Sequence, residues 1–370
     1  MSRLPKRCVF SHDACANQFL FMLSGGEIFF FLRAATVSET RVSLNFRTLP
    51  KAEVHIHLEG CFDTATIVHL AAENNVPLPR PEAELLTFEG LSDFLNFLDF
   101  ICGLCRTRDQ LAKAAYAFCE RLRDAGTGYA DVIVNPTHWH SWRDNLGGMI
   151  DGLDAGFAAA EQDGLPPVGL CVSLLRQQSA QQAIEVVEEL GRLRHPRIVA
   201  LSVDGNEAAA GRTGQKFADA FRLAGKIGLK RTAHAGESSG PDGVRDAIFL
   251  LEADRIDHGV RAIEDAELMT ILVDRQIALG VCPSSNLILG LYPDLEAHPL
   301  DRLRQAGVLV SVNTDDPALL ATDLPQEFAG CATAYGWDRE TCRAVAATSI
   351  NASFANADIK ARLLRDLSAW

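Results

Sequence analysis

The sequence contains no apolar run approaching the ~18 residues that cross a bilayer. The nearest approach, Phe19–Leu23 behind a basic Met1–Arg7 start, is broken by Gly25, Gly26 and Glu27, and no clean small-residue cleavage site follows. A signal peptide is disfavoured, and no membrane is expected as a partner. Positive charge is also in short supply. Lys and Arg number 35 against 48 Asp and Glu, a formal net charge of −13. That balance argues against nucleic acid or an anionic surface as the main partner and leaves a small neutral substrate open. No compact framework of paired cysteines is present either. Ten cysteines are scattered through patterns that look like core, so a reducing, cytoplasmic setting is expected. The one Cys-X-X-Cys, Cys102 and Cys105, lies inside a helical pattern of Leu91, Phe94, Leu95, Leu98 and Ile101. No second pair follows at zinc-finger distance, so these two read as buried thiols.

What is present is a long, evenly patterned chain. Its 370 residues, 48% hydrophobic, are ample for a large core, and length alone admits one to three domains. From residue 50 onward, strand patterns alternate with helical ones and no low-complexity linker or internal repeat intervenes. Strands are expected at Glu53–His57, Tyr129–Val134, Val168–Ser173, Ile198–Val203, Lys230–Ala235, Arg255–His258, Ile277–Val281 and Val308–Asn313. Helices are expected between them, among them Ala180–Arg194, Gln215–Ile227, Gly243–Leu251 and Asp265–Arg275. Eight such units in about 260 residues fit an α/β fold of the (β/α)8 TIM-barrel type. A doubly wound open sheet is the alternative, but its glycine-rich phosphate fingerprint is missing after the first strand. Residues 1–45, with the apolar knot Phe29-Phe30-Phe31-Leu32, do not share the pattern and read as an extension of unknown role. A long excursion, Cys61 to Gly128, separates the first two strands. Its segment Leu91–Cys105 is expected to form a lid over the barrel mouth, or else to pack on the flank; periodicity does not separate the two.

Chemistry gathers at the expected strand ends. In Ala52-Glu53-Val54-His55-Ile56-His57-Leu58-Glu59-Gly60 the two histidines are two apart, so both imidazoles point the same way from a strand. Such a pair suits a divalent transition metal, or it is merely two polar residues on a half-buried strand. His234 ends the fifth strand, His258 the sixth, and Asp315 and Asp316 the eighth. Barrel enzymes place their chemistry at these ends. Three imidazoles and a carboxylate make a reasonable catalytic zinc set with a position left for water.

These segments resemble the adenosine deaminase family of the amidohydrolase superfamily. The resemblance rests on Leu49-Pro50-Lys51-Ala52-Glu53 leading into His55-Ile56-His57-Leu58-Glu59-Gly60, then His234-Ala235-Gly236-Glu237, Arg255-Ile256-Asp257-His258-Gly259, Cys282-Pro283-Ser284-Ser285-Asn286 and Ser311-Val312-Asn313-Thr314-Asp315-Asp316-Pro317. They occur in the family's order, and residues 46–370 would be the deaminase barrel. The resemblance implies one Zn²⁺ per chain held by His55, His57, His234 and Asp315. It makes Glu237 the acid that protonates purine N1. His258 would orient and polarise the water, with Asp315 helping to take its proton. Asp316 would meet N7, and the backbone N–H of Gly205 would meet N3. The chemistry needs such groups: C6 of an aminopurine is a poor electrophile until N1 is protonated, and a buried carboxylic acid can supply that proton.

The resemblance implies that the substrate is a small 6-aminopurine. Glu59 stands where adenosine deaminases usually carry the Asp that meets the ribose, and Glu is common in the adenine deaminase branch. Asn135-Pro136-Thr137-His138-Trp139-His140 leans the same way. Gly205 and the run Gly240–Ala247 look more like adenosine deaminases. The sequence reading favours adenosine and 2′-deoxyadenosine, with adenine or a modified 6-aminopurine as the alternative. His138 and His140 are expected to line the pocket or shape the loop rather than bind a second metal.

Overall fold

A computed structural model describes residues 44–370. Residues 1–43 of the N-terminal extension, with its apolar knot, lie outside the described residues. Eight parallel strands run in chain order: β1 (Lys51–His57), β2 (Thr127–Val134), β3 (Val168–Leu175), β4 (Ile198–Asp204), β5 (Lys230–Ala235), β6 (Arg255–His258), β7 (Ala278–Val281) and β8 (Val310–Val312). Nearly every strand residue is buried, as parallel strands covered on both faces require. β1 and β8 close the barrel through an Ile56–Asp315 bridge. There His57 N–H donates to the Asp315 carbonyl at 2.8 Å, and Asp315 N–H donates to His55 at 3.2 Å. The Asn313 side chain completes the seam by accepting from the N–H groups of Val54 and His55. The closure of the barrel and the placing of three site residues are thus one set of bonds.

The connecting helices begin where capping chemistry allows. Ser179 with Gln182, and Thr107 with Gln110, form reciprocal capping boxes at the starts of helices Ala180–Leu193 and Arg108–Asp124. Helix Arg108–Asp124 lies against helix Leu146–Gln162 closely enough that a Cβ on Gly156 would fall 2.0 Å from the Ala112 carbonyl oxygen. The excursion between β1 and β2 contains the amphipathic helix Leu91–Cys102. Phe97 and Ile101 bury one side of it, while Phe94, Leu95 and Leu98 line the cavity at the barrel mouth. The lid expectation holds. Cys102 and Cys105 are buried free thiols, also as expected. No described helix is long and apolar enough to cross a membrane.

Candidate active site

β1, β5 and β8 bring four ligand atoms together at the C-terminal mouth. His234 Nε2 lies 3.1 Å from His55 Nε2 and 3.0 Å from His57 Nε2. Asp315 Oδ1 lies 3.2 Å from His55 Nε2 and 3.3 Å from His57 Nε2. Tetrahedral ligands at ~2.0–2.2 Å from a zinc ion stand ~3.3 Å apart, so the set fits a zinc-sized cation. The tautomers agree. His55 Nδ1 faces the Gly280 carbonyl at 2.8 Å, which takes its proton and leaves Nε2 free to ligate. Burial, together with the charges of His55 and His57, pushes the His234 imidazole well below its ordinary range, so it is neutral as a ligand must be. Its Nδ1 looks toward Asp257 at 3.6 Å. A second cluster exchanges His57 and His234 for His258 and Cys282. There Cys282 Sγ lies 3.3 Å from His55 Nδ1, the nitrogen already turned to Gly280, so the three-histidine set is the better cation site.

Two backbone outliers sit at this mouth. His258 has φ +62° and Asp315 φ +67°, left-handed values that non-glycine residues rarely adopt. Such strain is tolerated where surrounding bonds over-determine the chain, and here those bonds are the β1–β8 seam and the β5–β6 ladder. Glu237, three residues past the end of His234, has its Oε1 3.4 Å from His258 Nε2 and 3.4 Å from Asn286 Nδ2. Burial, then the charges of Asp315 and Glu207, push its carboxyl up to about 8. Burial and the His55 charge hold His258 well below its ordinary range, so its imidazole is neutral. Ser285 Oγ donates to Asp315 Oδ2 at 2.7 Å.

The rest of the cavity is lined by carboxylates and apolar lid residues. Glu59 Oε1 accepts from the Asn135 N–H and from Trp139 Nε1, both at 2.7 Å. Asn135 Nδ2 donates to Asp204 Oδ1 at 2.5 Å, which ties Asp204 to the same corner. Asp316 packs on Gly60, where a Cβ would fall 2.1 Å from Asp316 Oδ1. The second oxygens, Glu59 Oε2 and Asp204 Oδ2, together with Asp316 Oδ1, are buried without a hydrogen-bond partner among the described residues. Burial raises the Glu59 carboxyl, and burial with the charge of Asp315 raises that of Asp316 well above the usual range. Gly205 lines the same cavity at φ +96°, a conformation that any side chain would strain.

All nine residues singled out in the sequence therefore stand in one place: His55, His57, His234 and Asp315 as a cluster, with Glu237, His258, Glu59, Gly205 and Asp316 around the adjoining cavity. His138 lines it too, its Nδ1 2.7 Å from Asp99 Oδ1 on the lid helix, while His140 is exposed. Five contributors were not given a role from sequence: Asp204, Asn135, Trp139, Ser285 and Asn286. Asp204 was within reach, because it ends β4 and the strand-end rule applies to it as to the others. Ser285 and Asn286 follow β7 by the same logic. Nothing in the pattern foretold the Trp139–Glu59 bond, which spans 80 positions in sequence.

Parallel barrel, strand-end histidines and a buried acid define a metal-dependent hydrolase of the amidohydrolase type. Comparison with known proteins narrows the class. The model of the family described as adenosine deaminase matches residues 50–370. A protein named adenine deaminase from Sinorhizobium medicae (strain WSM419) is 34% identical over 322 residues, covering 86% of this chain and 98% of that one. Among solved structures, an adenine deaminase from Arthrobacter aurescens superimposes with a TM-score of 0.81 at 31% identity, covering 87% of this chain and 98% of that one. An amidohydrolase from Burkholderia ambifaria with bound Zn gives 0.79 at 25% identity over 90% and 98%. The chain belongs to the adenosine deaminase family. It is a hydrolase acting on a C–N bond, a deaminase of 6-aminopurines.

Proposed function

We propose that residues 46–370 convert adenine and water to hypoxanthine and ammonia, with one Zn²⁺ held by His55, His57, His234 and Asp315. The observation that carries the choice of adenine is the unpartnered carboxylate corner of Glu59, Asp204 and Asp316. A free purine base has an N–H on its imidazole ring; a nucleoside has a sugar there instead. Glu59 and Asp204 offer acceptor oxygens for that N–H, and a protonated Asp316 donates to the neighbouring ring nitrogen. Among the described residues no Lys or Arg lines the cavity, so a nucleotide phosphate finds no partner there and meets like charge. The relatives named adenine deaminase support the same reading. The sequence-based preference for adenosine gives way to its alternative, because Glu59 is tied down by Trp139 and Asn135 instead of opening toward a ribose.

When bound, the zinc supplies a water whose pKa is lowered toward ~7. The chain does the rest. Glu237, protonated by burial, gives its proton to ring N1 and draws electrons from C6. Neutral His258, held at Nδ1 near Asn286, orients the water, and its proton passes to His258 and Asp315. Water oxygen bonds to C6, and the proton first taken by His258 and Asp315 passes to the amino nitrogen. The hydroxyl proton goes to the Glu237 carboxylate, and the C6–N bond breaks to release ammonia and leave the C6 carbonyl. The lid residues Phe94, Leu95 and Leu98 keep bulk water off the flat base.

An ultraviolet assay of the zinc-loaded protein against adenine, adenosine and 2′-deoxyadenosine tests this. Adenine is expected to turn over, with kcat/KM for the nucleosides lower by on the order of 10²-fold or more. Turnover of the nucleosides with adenine inert would overturn the assignment.

A further inference from the structure

Behind the proposed acid lies a buried carboxylate that touches neither the cavity nor the ligand cluster. Glu207 follows β4 in the short helix Glu207–Ala210 and is 3% exposed. Its Oε1 accepts from the Gly236 N–H at 3.0 Å. Its Oε2 accepts from the N–H groups of Glu237 at 3.1 Å and Ser239 at 3.2 Å. Three N–H donors of the loop leaving β5, those of Gly236, Glu237 and Ser239, thus converge on one side chain. On the other side of that loop, the buried Arg176 donates to the His234 carbonyl and, at 2.6 Å, to Thr213 Oγ1. One anion takes the loop's N–H groups and one cation takes the carbonyl that opens it. Gly243 leaves room for the carboxylate, since a Cβ there would fall 2.3 Å from Glu207 Oε1.

The loop leaves β5 with Gly236 at φ +63°; Arg261 N–H donates to the Gly236 carbonyl at 2.9 Å, but the partner of the loop's own N–H groups is Glu207. Each of its N–H groups would otherwise be buried unsatisfied or wander to water. We propose that Glu207 is a positioning residue for the reaction: it fixes the Gly236–Ser239 backbone so that Glu237 is held at its proton-delivery position. The inference rests on the reading of Glu237 as the acid. It does not depend on which 6-aminopurine is the substrate.

Replacement separates this role from mere packing. An amide has a single acceptor oxygen, so in Glu207→Gln at least one of the three donors faces an NH₂ group. Glu207→Asp keeps two acceptors but pulls them back by one methylene. The test uses the zinc-loaded full chain with whichever of adenine, adenosine or 2′-deoxyadenosine the wild type turns over. Glu207→Gln is expected to lower kcat on the order of 10²-fold, with KM within about 3-fold of wild type and zinc content unchanged. Glu207→Asp is expected to fall between the two. Amide hydrogen exchange of the 234–240 segment, measured on metal-free protein, is expected to quicken in Glu207→Gln while the β-strands stay protected. Glu237→Gln is measured beside them. Activity retained in Glu237→Gln overturns the acid assignment. Activity lost there, with wild-type kcat and wild-type exchange in Glu207→Gln, overturns the positioning role alone. If Glu207→Gln fails to fold, Glu207→Asp carries the test by the same two readouts.

Discussion

At the residue scale the site is governed by where each carboxyl keeps its proton. Glu237 and Asp315 both face His258 yet are pushed in opposite directions. Burial, with Asp315 and Glu207 behind it, raises Glu237 to about 8 in the metal-free protein. Asp315, although buried, is held well below its ordinary range by the charge of His55 and its bond to that ring. Pairs of acids driven apart in this way divide the roles of donor and acceptor. A carboxyl raised in the folded state binds its proton more tightly there than in the unfolded chain. Its contribution to stability is full below its ordinary ~4.5 and disappears as pH rises through about 8. The melting temperature of chelated wild type should therefore fall from pH ~5 to ~8 more steeply than that of Glu237→Gln. Zinc-loaded Glu237→Gln should keep its metal and lose turnover by ~10²–10⁴-fold. Equal slopes in the two melting series, or near-normal turnover, would contradict the role given to Glu237.

At the scale of elements, the lid is the part that sequence left open. Periodicity located helix Leu91–Cys102 but could not say which surface it covered, because an apolar stripe fits a flank as well as a mouth. The latch decides it: Asp99 on the lid meets His138, which sits in the loop after β2 and lines the cavity. Asp99 is 42% exposed at its side chain, so the pair is worth about 1 kcal/mol after screening. Asp99→Ala should raise KM for adenine about 5-fold, with kcat changed less, in steady-state kinetics. An unchanged KM would mean that the lid is held by its apolar face alone. The barrel elements themselves were legible. β5 and β6 fall where expected, at Lys230–Ala235 and Arg255–His258. The helix after β5 starts at Pro241 instead of Gly243, because proline at the first helical position needs no N–H partner. β8 is shorter than expected. Val308 N–H stays with the Leu303 carbonyl of the preceding helix, and Asn313 spends its side chain on the seam to β1. Side-chain closure of that kind has no periodic signature.

At the scale of the whole molecule, the frame presents one end to chemistry and keeps the other for stability. Below the site, Arg255 on β6 and Asp131 on β2 form a 2.6 Å ion pair across the barrel floor, both essentially buried. Asp131 also accepts from Phe354 N–H and Tyr129 Oη, so its carboxylate is satisfied by further bonds, while Arg255 Nε and Nη2 have no hydrogen-bond partner among the described residues. Above it, the mouth gathers carboxylates and imidazoles, with no Lys or Arg among the described residues of the cavity lining. The sequence pointed to His55, His57, His234, Asp315 and Glu237 as one site because strand ends in a barrel converge regardless of their spacing. It ranked adenosine ahead of adenine because the Trp139 and Asn135 bonds to Glu59 are contacts made only once the barrel is closed. The central claim is that this corner reads the N–H of a free base. The most direct measurement compares kcat/KM for adenine and 9-methyladenine on zinc-loaded enzyme, since the two differ only at that position. The account predicts that adenine is favoured by on the order of 10³-fold or more, as expected of a site built around a hydrogen bond. Comparable rates for the two would contradict it.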